Sequence, residues 1–295
     1  MILKKLKNLI RNVNYLSKHS LWDDKEELIV YLTNKILDDV SYEYNLDSSG
    51  IEKFTILNTD QTLDLIEKTN KSFVRTGDGE IKAMMGENHA FQKYEKEVTN
   101  RLINLLEQPG DNILVGVNRN YFIPLNQMDD NRYYRRNAYD FRKFYFKHCN
   151  KENQYIDATC ISGRQYSDDF KKRKHYDRWK NLFKGKELVI ICGEGILDSL
   201  EYDIFELANS KEYIYGPRIN AWDKHDEIIN KITDNVSKDK ILVFILGQAG
   251  KAMIPELTDM GYICWDVGHL AKYYNAYMTN MEWNKENTAK FYAPD

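Results

Sequence analysis

The stretch Lys71-Ser72-Phe73-Val74-Arg75-Thr76-Gly77-Asp78-Gly79-Glu80 contains an apolar segment that runs directly into two carboxylates in a glycine turn. Its aromatic and β-branched residues predict a β-strand over residues 72–76. Gly77 and Gly79 allow a sharp turn and a close approach of the backbone to a ligand, because neither carries a Cβ atom. The stretch therefore predicts a strand whose carboxyl end presents Asp78 and Glu80.

These two carboxylates are candidate metal ligands. Hard oxygen ligands one residue apart on a bend suit Mg²⁺ or Mn²⁺ and leave positions open for phosphate oxygens and water. The alternative is that Asp78 caps a short helix over residues 81–85. A capping box would place Glu or Gln at position 81, where the chain has Ile81. Ile81 at this position favours the metal-site interpretation over the helix cap.

The composition excludes several classes of protein. The chain has 295 residues, a formal net charge of −3 and 29% charged residues, so it has no basic field for nucleic acid. Its longest apolar runs, such as residues 241–246, are too short to span a bilayer. Four cysteines are spaced too widely for a zinc site, which predicts reduced, buried thiols in a cytoplasmic protein.

Residues 1–50 predict an N-terminal helical extension, and residues 51–295 predict the main domain. The first helix places leucines at helical spacing with Lys and Arg between them. Such a helix suits peripheral contact with the inner face of a membrane, or packing of its apolar side on the domain.

Short apolar runs alternate with helical patterns over the main domain. Strands are predicted over residues 72–76, 112–117, 155–161, 187–192, 212–215, 240–246 and 262–267. Helices are predicted over residues 91–107, 135–149, 166–182, 197–210, 220–236 and 250–260. This alternation predicts a Rossmann-like α/β fold, with a mostly parallel sheet of about seven strands and helices on both faces.

Ligands of such sheets bind outside the carboxyl ends of the strands, where this chain concentrates glycine, polar and ionisable residues. A dinucleotide is disfavoured, because the third glycine expected after Gly193-Glu194-Gly195 is replaced by Asp198. Walker, nucleophile-elbow and His-Glu-x-x-His sequences are also absent. A metal-nucleotide or metal-phosphate site remains.

Several segments together resemble the GT-D type glycosyltransferases, a bacterial family with a Rossmann-like domain. The resemblance runs from about residue 57 to residue 277. Its segments are Phe73-Val74-Arg75-Thr76-Gly77-Asp78-Gly79-Glu80, Ile113-Leu114-Val115-Gly116-Val117, Ile161-Ser162-Gly163-Arg164-Gln165-Tyr166, Gly216-Pro217-Arg218-Ile219-Asn220-Ala221-Trp222, Leu246-Gly247-Gln248-Ala249 and Gly261-Tyr262-Ile263-Cys264-Trp265-Asp266-Val267-Gly268-His269. It implies divalent-metal-dependent transfer of a hexose from a UDP-sugar to a cell-surface glycan, which is carried on a glycoprotein or a polysaccharide.

The chain departs from the family in two segments. The family pattern has Pro-Thr-Ala where this chain has Gln248-Ala249-Gly250, and Arg-Pro-Tyr where it has Arg164-Gln165-Tyr166. These departures bear on the choice of sugar and acceptor.

The resemblance also implies roles for residues. It implies that Asp78 and Glu80 hold Mn²⁺ or Mg²⁺, and that either Asp266 or His269 deprotonates the acceptor hydroxyl. The alternatives are that Asp266 completes the metal shell and His269 orients it, or that His269 is a structural histidine. Predicted nucleotide-sugar-binding residues are Arg75, Gly77, Gly79, Arg164, Gly193, Asn220, Trp222 and Gly247. For Arg75 a salt bridge is an equal alternative, and for Asn220 a helix cap.

Two other functions use the same features. A metal-dependent phosphohydrolase would use the same carboxylates, and a non-catalytic, nucleotide-binding partner of a glycan-assembly complex would keep the fold without turnover.

Overall fold

The computed structural model describes residues 51–123 and 132–293. The chain divides into two compact units, residues 1–51 with 123–143 and residues 52–122 with 144–295. The predicted N-terminal extension, with its membrane-binding helix, lies outside the described residues. Within the described ranges, no helix is long and apolar enough to cross a membrane. The larger unit contains the sheet and every predicted site residue.

A single sheet of eight parallel strands forms the centre of the larger unit, in the order β1-β4-β3-β2-β8-β7-β5-β6. The strands are β1 (Thr55–Ile56), β2 (Ser72–Thr76), β3 (Ile113–Val117), β4 (Gln154–Asp157), β5 (Glu187–Gly193), β6 (Ser210–Gly216), β7 (Ile241–Ile245) and β8 (Ile263–Asp266). This confirms the predicted parallel α/β fold. The sequence does not predict β1, because two residues are too few for an alternating pattern.

The fourth strand is shorter than predicted, since β4 ends at Asp157 and not at residue 161. The Asp157 carboxylate accepts hydrogen bonds from the Thr159 backbone N–H (2.9 Å) and the Thr159 hydroxyl (2.7 Å). This local turn competes with further strand pairing.

Nine α-helices lie in the described ranges. They are α1 (Thr59–Thr69), α2 (Asp78–Met84), α3 (Lys96–Glu107), α4 (Arg132–His148), α5 (Asp169–Phe183), α6 (His225–Asn235), α7 (Gly247–Asp259), α8 (Leu270–Met278) and α9 (Lys285–Tyr292). Five of the predicted helices correspond to α3 to α7, with their ends shifted by a few residues. The prediction of a helix over residues 197–210 is wrong, because turns connect β5 to β6.

A local contact competes with helix formation in residues 197–210. The Asp203 carboxylate accepts a hydrogen bond from the Phe205 N–H at 2.8 Å and so forms a turn. The apolar residues that suggested a helix, including Ile204 and Phe205, are buried and anchor the turns to the core. Their spacing reflects anchoring and not helical periodicity.

Helices cover both faces of the sheet. Alternate strand residues such as Ile190, Val243 and Trp265 pack with apolar residues of α1, α5 and α8. Helix α7 packs across β2, β7 and β8, with α3 and α6 beside it. The four cysteines are free and buried, as predicted.

The two halves of the sheet meet where β2 pairs with β8. Strands β3, β4 and β1 lie on one side of this pair, and β7, β5 and β6 lie on the other. The backbone register between the two strands joins Phe73 to Trp265. Such switch points are where open α/β sheets bind ligands, so the residues that follow β2 and β8 form the candidate site.

His175 of α5 is a buried titratable group within the core, 2% exposed and close to the rings of Tyr166 and Tyr176. Burial lowers the pKa of His175 to about 4. The unfolded chain therefore binds more protons than the folded one as the pH falls from about 6.5 toward 4, and the free energy of unfolding falls with it.

We expect the His175→Phe variant to lose part of this pH dependence, by up to about 3 kcal/mol, because it removes the proton-binding group. Urea unfolding of both proteins at pH 7 and at pH 4.5 measures the slope of the free energy of unfolding against pH. Equal slopes would show that His175 does not contribute to acid sensitivity, whatever the variant does to stability at pH 7.

Candidate active site

The turn after β2 is the first turn of α2. Gly77 occupies the N-cap position and Asp78 is the first helical residue, so the alternative in which Asp78 caps the helix is wrong. Glu80 is then the third helical residue, and its Oε2 accepts a hydrogen bond from the Gly77 N–H at 2.8 Å. Since residues of a helix rotate by about 100° each, Asp78 and Glu80 point about 200° apart.

Asp78 is half-buried at the carboxyl end of the sheet. Its Oδ1 accepts a hydrogen bond from Asn118 Nδ2, at the end of β3, at 3.1 Å. The Tyr145 hydroxyl joins the same two strand ends, because it donates to the Thr76 carbonyl (2.8 Å) and accepts from the Asn118 N–H (3.2 Å). These contacts fix the direction in which Asp78 faces.

Beneath the turn, Arg75, Asp266, Lys251 and Glu80 form a row of alternating charges, here called the buried ion chain. Arg75 Nη2 lies 2.9 Å from Asp266 Oδ1, Lys251 Nζ lies 3.8 Å from Asp266 Oδ2, and Lys251 Nζ lies 2.7 Å from Glu80 Oε1. None of the four residues is more than 9% exposed. The chain connects β2, β8, α7 and α2.

Arg75 and Asp266 are bound together through several further contacts. The Arg75 N–H donates to Asp266 Oδ2 (2.9 Å), its Nε to the Asp266 carbonyl (2.8 Å) and its Nη1 to the Ala158 carbonyl (3.2 Å). Burial opposes the charge on Arg75, but Asp266, Cys160 and Glu80 together more than offset it and raise the pKa of Arg75. The structure thus places the predicted diphosphate ligand Arg75 and the predicted base Asp266 inside the sheet.

Glu80 is ionised in this surrounding. Burial alone would raise the pKa of Glu80, but the Lys251 ammonium and the Gly77 N–H lower it below its usual value. A second residue of α7 supports the same turn, because Gln248 Nε2 donates to the Gly79 carbonyl at 3.0 Å. Gln248 is one of the residues at which the chain departs from the family pattern.

A short segment, residues 89–93, here called the strap, crosses the carboxyl edge of the sheet. A Cβ atom on Gly79 would lie 2.8 Å from His89 Nε2, and one on Gly247 would lie 3.6 Å from the Phe91 Cβ. Further along, the Phe91 carbonyl accepts from the Asn220 N–H (2.9 Å), and Asn220 Oδ1 accepts from the Lys93 N–H (2.9 Å). The strap thus joins the turn after β2 to the loop after β6. Asn220 holds this strap, and no side-chain cap bond to the following helix forms.

His269 follows β8 and lies within a cluster of aromatic rings. Its ring centroid is 6.0 Å from that of Phe91, 5.8 Å from Phe291 and 5.7 Å from Tyr292. Burial, with Lys272 and Arg75 nearby, lowers the pKa of His269 to about 3. His269 is therefore neutral at pH 7.

Arg164, which follows β4, reaches the same aromatic cluster. Its guanidinium lies 4.1 Å from the centroid of the Trp283 ring, and its Nη1 donates to the Tyr292 hydroxyl at 3.4 Å. The side chain is exposed, so its charge remains accessible to an anionic ligand.

Two predicted site residues, Gly193 and Trp222, follow strands that are not neighbours of β2 in the sheet. Gly193 ends β5, where Arg218 crosses it so closely that a Cβ atom on Gly193 would lie 2.9 Å from the Arg218 Cγ. Trp222 lines a polar groove of about 580 Å³ beside α3 and α6, where the centroid of its ring lies 4.4 Å from that of the tilted His225 ring. No other predicted site residue lines this groove.

Few of these side chains are placed to bind a divalent cation. In the described residues, no three His, Cys, Asp or Glu side chains are grouped to hold a metal. Asp78 nevertheless offers a partly exposed carboxylate at the switch point of the sheet. Glu80 accepts from Lys251 and Gly77. A divalent ion at this turn would therefore have Asp78 as its one carboxylate ligand among these side chains, with its other positions left to phosphate oxygens and water.

Sequence reasoning missed Lys251, His89 and Phe91. Lys251 lies among Ala249, Ala252 and Met253 in an apolar helix, and a lysine in such a context is a signal of a buried partner. His89 and Phe91 carry no such signal, because they lie in a loop whose path depends on distant contacts.

Comparison with known proteins identifies the family of the chain. The sequence profile described as Glycosyltransferase GT-D fold matches residues 73–294. The chain belongs to the GT-D glycosyltransferase family. This confirms the resemblance stated from the sequence.

Individual relatives are also named as glycosyltransferases. The chain is 25% identical over 227 residues to the probable glycosyl transferase Gly of Streptococcus gordonii, covering 75% of this chain and 33% of that protein. It is 25% identical over 219 residues to the glycosyltransferase GlyD of Streptococcus pneumoniae serotype 4, covering 73% of this chain and 26% of that protein. The chain thus spans about a third or less of these relatives.

Solved GT-D structures share the fold. One, described as a highly conserved domain of unknown function 1792 with a distinct glycosyltransferase fold, has a TM-score of 0.70 and 26% identity over 82% of this chain and 86% of its own. A second, a glycosyltransferase of the same domain from Streptococcus sanguinis, has a TM-score of 0.67 and 23% identity over 77% of this chain and 85% of its own.

Gly268, which follows β8, makes room for the buried ion chain. Its φ is +45°, and a Cβ atom there would overlap Arg75 Nη2. We expect Gly268→Ala to lower the free energy of unfolding by about 1–3 kcal/mol, because backbone strain and displacement of Arg75 add together.

Two glycines provide matched controls for a urea-unfolding measurement. Gly86 has a φ of +94° with nothing within 4 Å of its added Cβ atom, so Gly86→Ala measures backbone strain alone. Gly110→Ala introduces neither problem. If Gly268→Ala costs no more than Gly86→Ala, Arg75 is not held where the structure places it.

Proposed function

We propose that this chain is a metal-dependent glycosyltransferase domain that moves a hexose from a UDP-sugar to a glycan acceptor in bacterial cell-surface glycoprotein or polysaccharide synthesis. The observation that carries the proposal is Asp78, a partly exposed carboxylate at the β2–β8 switch point of a GT-D fold. The buried ion chain and Asn118 hold the turn on which it lies.

Asp78 would hold the Mn²⁺ or Mg²⁺ ion, and Glu80 is the second predicted ligand. When bound, such an ion neutralises the negative charge that develops on a diphosphate leaving group. In this chain, Asn118 and the first turn of α2 hold the Asp78 carboxylate at the carboxyl end of the sheet.

Two residues near the strap, Arg164 and His269, would bind the phosphates of the sugar donor and deprotonate the glycan acceptor. Arg164 is accessible and suits phosphate oxygens through its planar guanidinium. His269 is the candidate proton acceptor, since Asp266 is occupied by Arg75 and His269 is in its basic, neutral form at pH 7. A bound diphosphate anion would raise the pKa of His269 and make proton acceptance easier.

Incubation of the purified chain with a panel of nucleotide sugars, with and without Mn²⁺, tests the proposal. We expect a UDP-sugar to be bound and slowly hydrolysed only when the metal is present, and faster release of UDP once a suitable glycan is added. Full-rate release without any acceptor would indicate a phosphohydrolase, and binding without turnover would indicate a non-catalytic partner.

Asp78→Asn is the matched variant for that assay. It retains size and hydrogen bonding but removes the charge that a divalent ion needs, so we expect metal-dependent turnover to fall by about a hundredfold, equivalent to roughly 3 kcal/mol. Circular dichroism checks that the variant is folded. Near-normal turnover by a folded Asp78→Asn protein would remove this residue from the site.

Peripheral contact with the inner face of the membrane is a further part of the proposal, motivated by the Lys- and Leu-rich N-terminus. We expect the full chain to co-sediment with vesicles that contain anionic lipid, and a chain lacking residues 1–20 to bind them much less. Equal binding by both proteins would exclude this segment as the anchor.

A further inference from the structure

The Asp-x-Glu pair does not present its two carboxylates alike. Asp78 is partly exposed and lies beside Asn118. Glu80 is 9% exposed, with one oxygen 2.8 Å from the Gly77 N–H and the other 2.7 Å from Lys251 Nζ. The carboxylate of Glu80 is therefore directed back along its own helix and toward α7.

Lys251 is as buried as Glu80 and also has a second acidic neighbour. It is 7% exposed, and its ammonium also lies 3.8 Å from Asp266 Oδ2. Three residues earlier on the same helix, Gln248 bonds to the Gly79 carbonyl. Residues three apart lie on one face of a helix, so a single face of α7 holds the whole turn from Gly77 to Glu80.

We infer that Glu80 and Lys251 are positioning residues, a charge-neutral pair that holds the Gly77 N–H and so directs Asp78, and that Glu80 does not ligate the metal. The inference rests on the proposed function and refines the site. Like charges repel, and a divalent ion bound to Glu80 Oε1 would lie next to the Lys251 ammonium. The separate roles of Asp78 and Glu80 also follow from helix geometry, because the helix turns the two carboxylates in different directions.

Three variants of the full chain separate positioning from ligation. Glu80→Gln with Lys251→Met keeps the net charge and keeps a carbonyl oxygen for the Gly77 N–H. Glu80→Leu with Lys251→Met keeps the same net charge but removes that acceptor. Asp78→Asn is the reference for loss of a ligand. The dissociation constant of Mn²⁺ is measured by electron paramagnetic resonance of the free ion, with UDP present, and folding by thermal unfolding.

We expect the Gln/Met double variant to bind Mn²⁺ within about threefold of the unmodified chain, and the Leu/Met double variant to bind it about tenfold more weakly, since supporting residues of a metal site cost 10–100-fold at most. Asp78→Asn should lose about a hundredfold or more. Glu80→Gln alone should melt at a lower temperature than the Gln/Met double variant, because it leaves a buried ammonium without its close partner.

Two results overturn the inference. If the Gln/Met double variant binds Mn²⁺ as weakly as Asp78→Asn, Glu80 is a metal ligand. If the Leu/Met and Gln/Met variants bind Mn²⁺ equally, the pair contributes stability only, because a merely structural role does not change the affinity of the folded protein. Failure of the unmodified chain to bind Mn²⁺ contradicts metal dependence itself, and is thus distinguished from both results.

Discussion

The ion pair between Arg75 and Asp266 is the contact on which the site depends. It joins β2 to β8, the two strands at which the halves of the sheet meet, beyond the register pair of Phe73 and Trp265. An isolated buried charge is costly, and removing one partner of a buried pair typically costs about 3–5 kcal/mol. The two strand ends are therefore held at a fixed separation. The Gly77–Glu80 turn begins at one of these ends and the segment that leads to His269 begins at the other.

Much of the architecture could be predicted from the sequence. The apolar runs of β2, β5 and β7 alternate with longer helical patterns, and buried parallel strands must be apolar on both faces. The position of the site also follows, because Asp78 comes directly after a strand and a parallel sheet brings such ends to one edge. The helix predicted over residues 197–210 shows the limit of this reasoning, since apolar residues that anchor turns can mimic a helical period.

The environment of each site residue could not be predicted in the same way. Arg75 and Asp266 are 191 positions apart, so no local pattern pairs them. The role of Glu80 depends on a shift of one residue in the start of α2, because an N-cap at Gly77 rather than Asp78 turns the carboxylate back toward the cap. The burial of Lys251 is not predicted, because lysine side chains usually face solvent. Each of these outcomes is set by tertiary contacts that override local preference.

The alternation of sign along the buried ion chain has a consequence at long range. Two positive and two negative charges in a row have no net charge, so their combined potential falls off much faster with distance than that of a single ion. Under the proposed function, an approaching nucleotide diphosphate, itself an anion, would therefore be repelled less strongly than three neighbouring carboxylates suggest. Arg75 and Lys251 lie beside two of the three carboxylates, those of Asp266 and Glu80. The fold thus places two acidic groups, Asp266 and Glu80, beneath this edge of the sheet with little net field outside it.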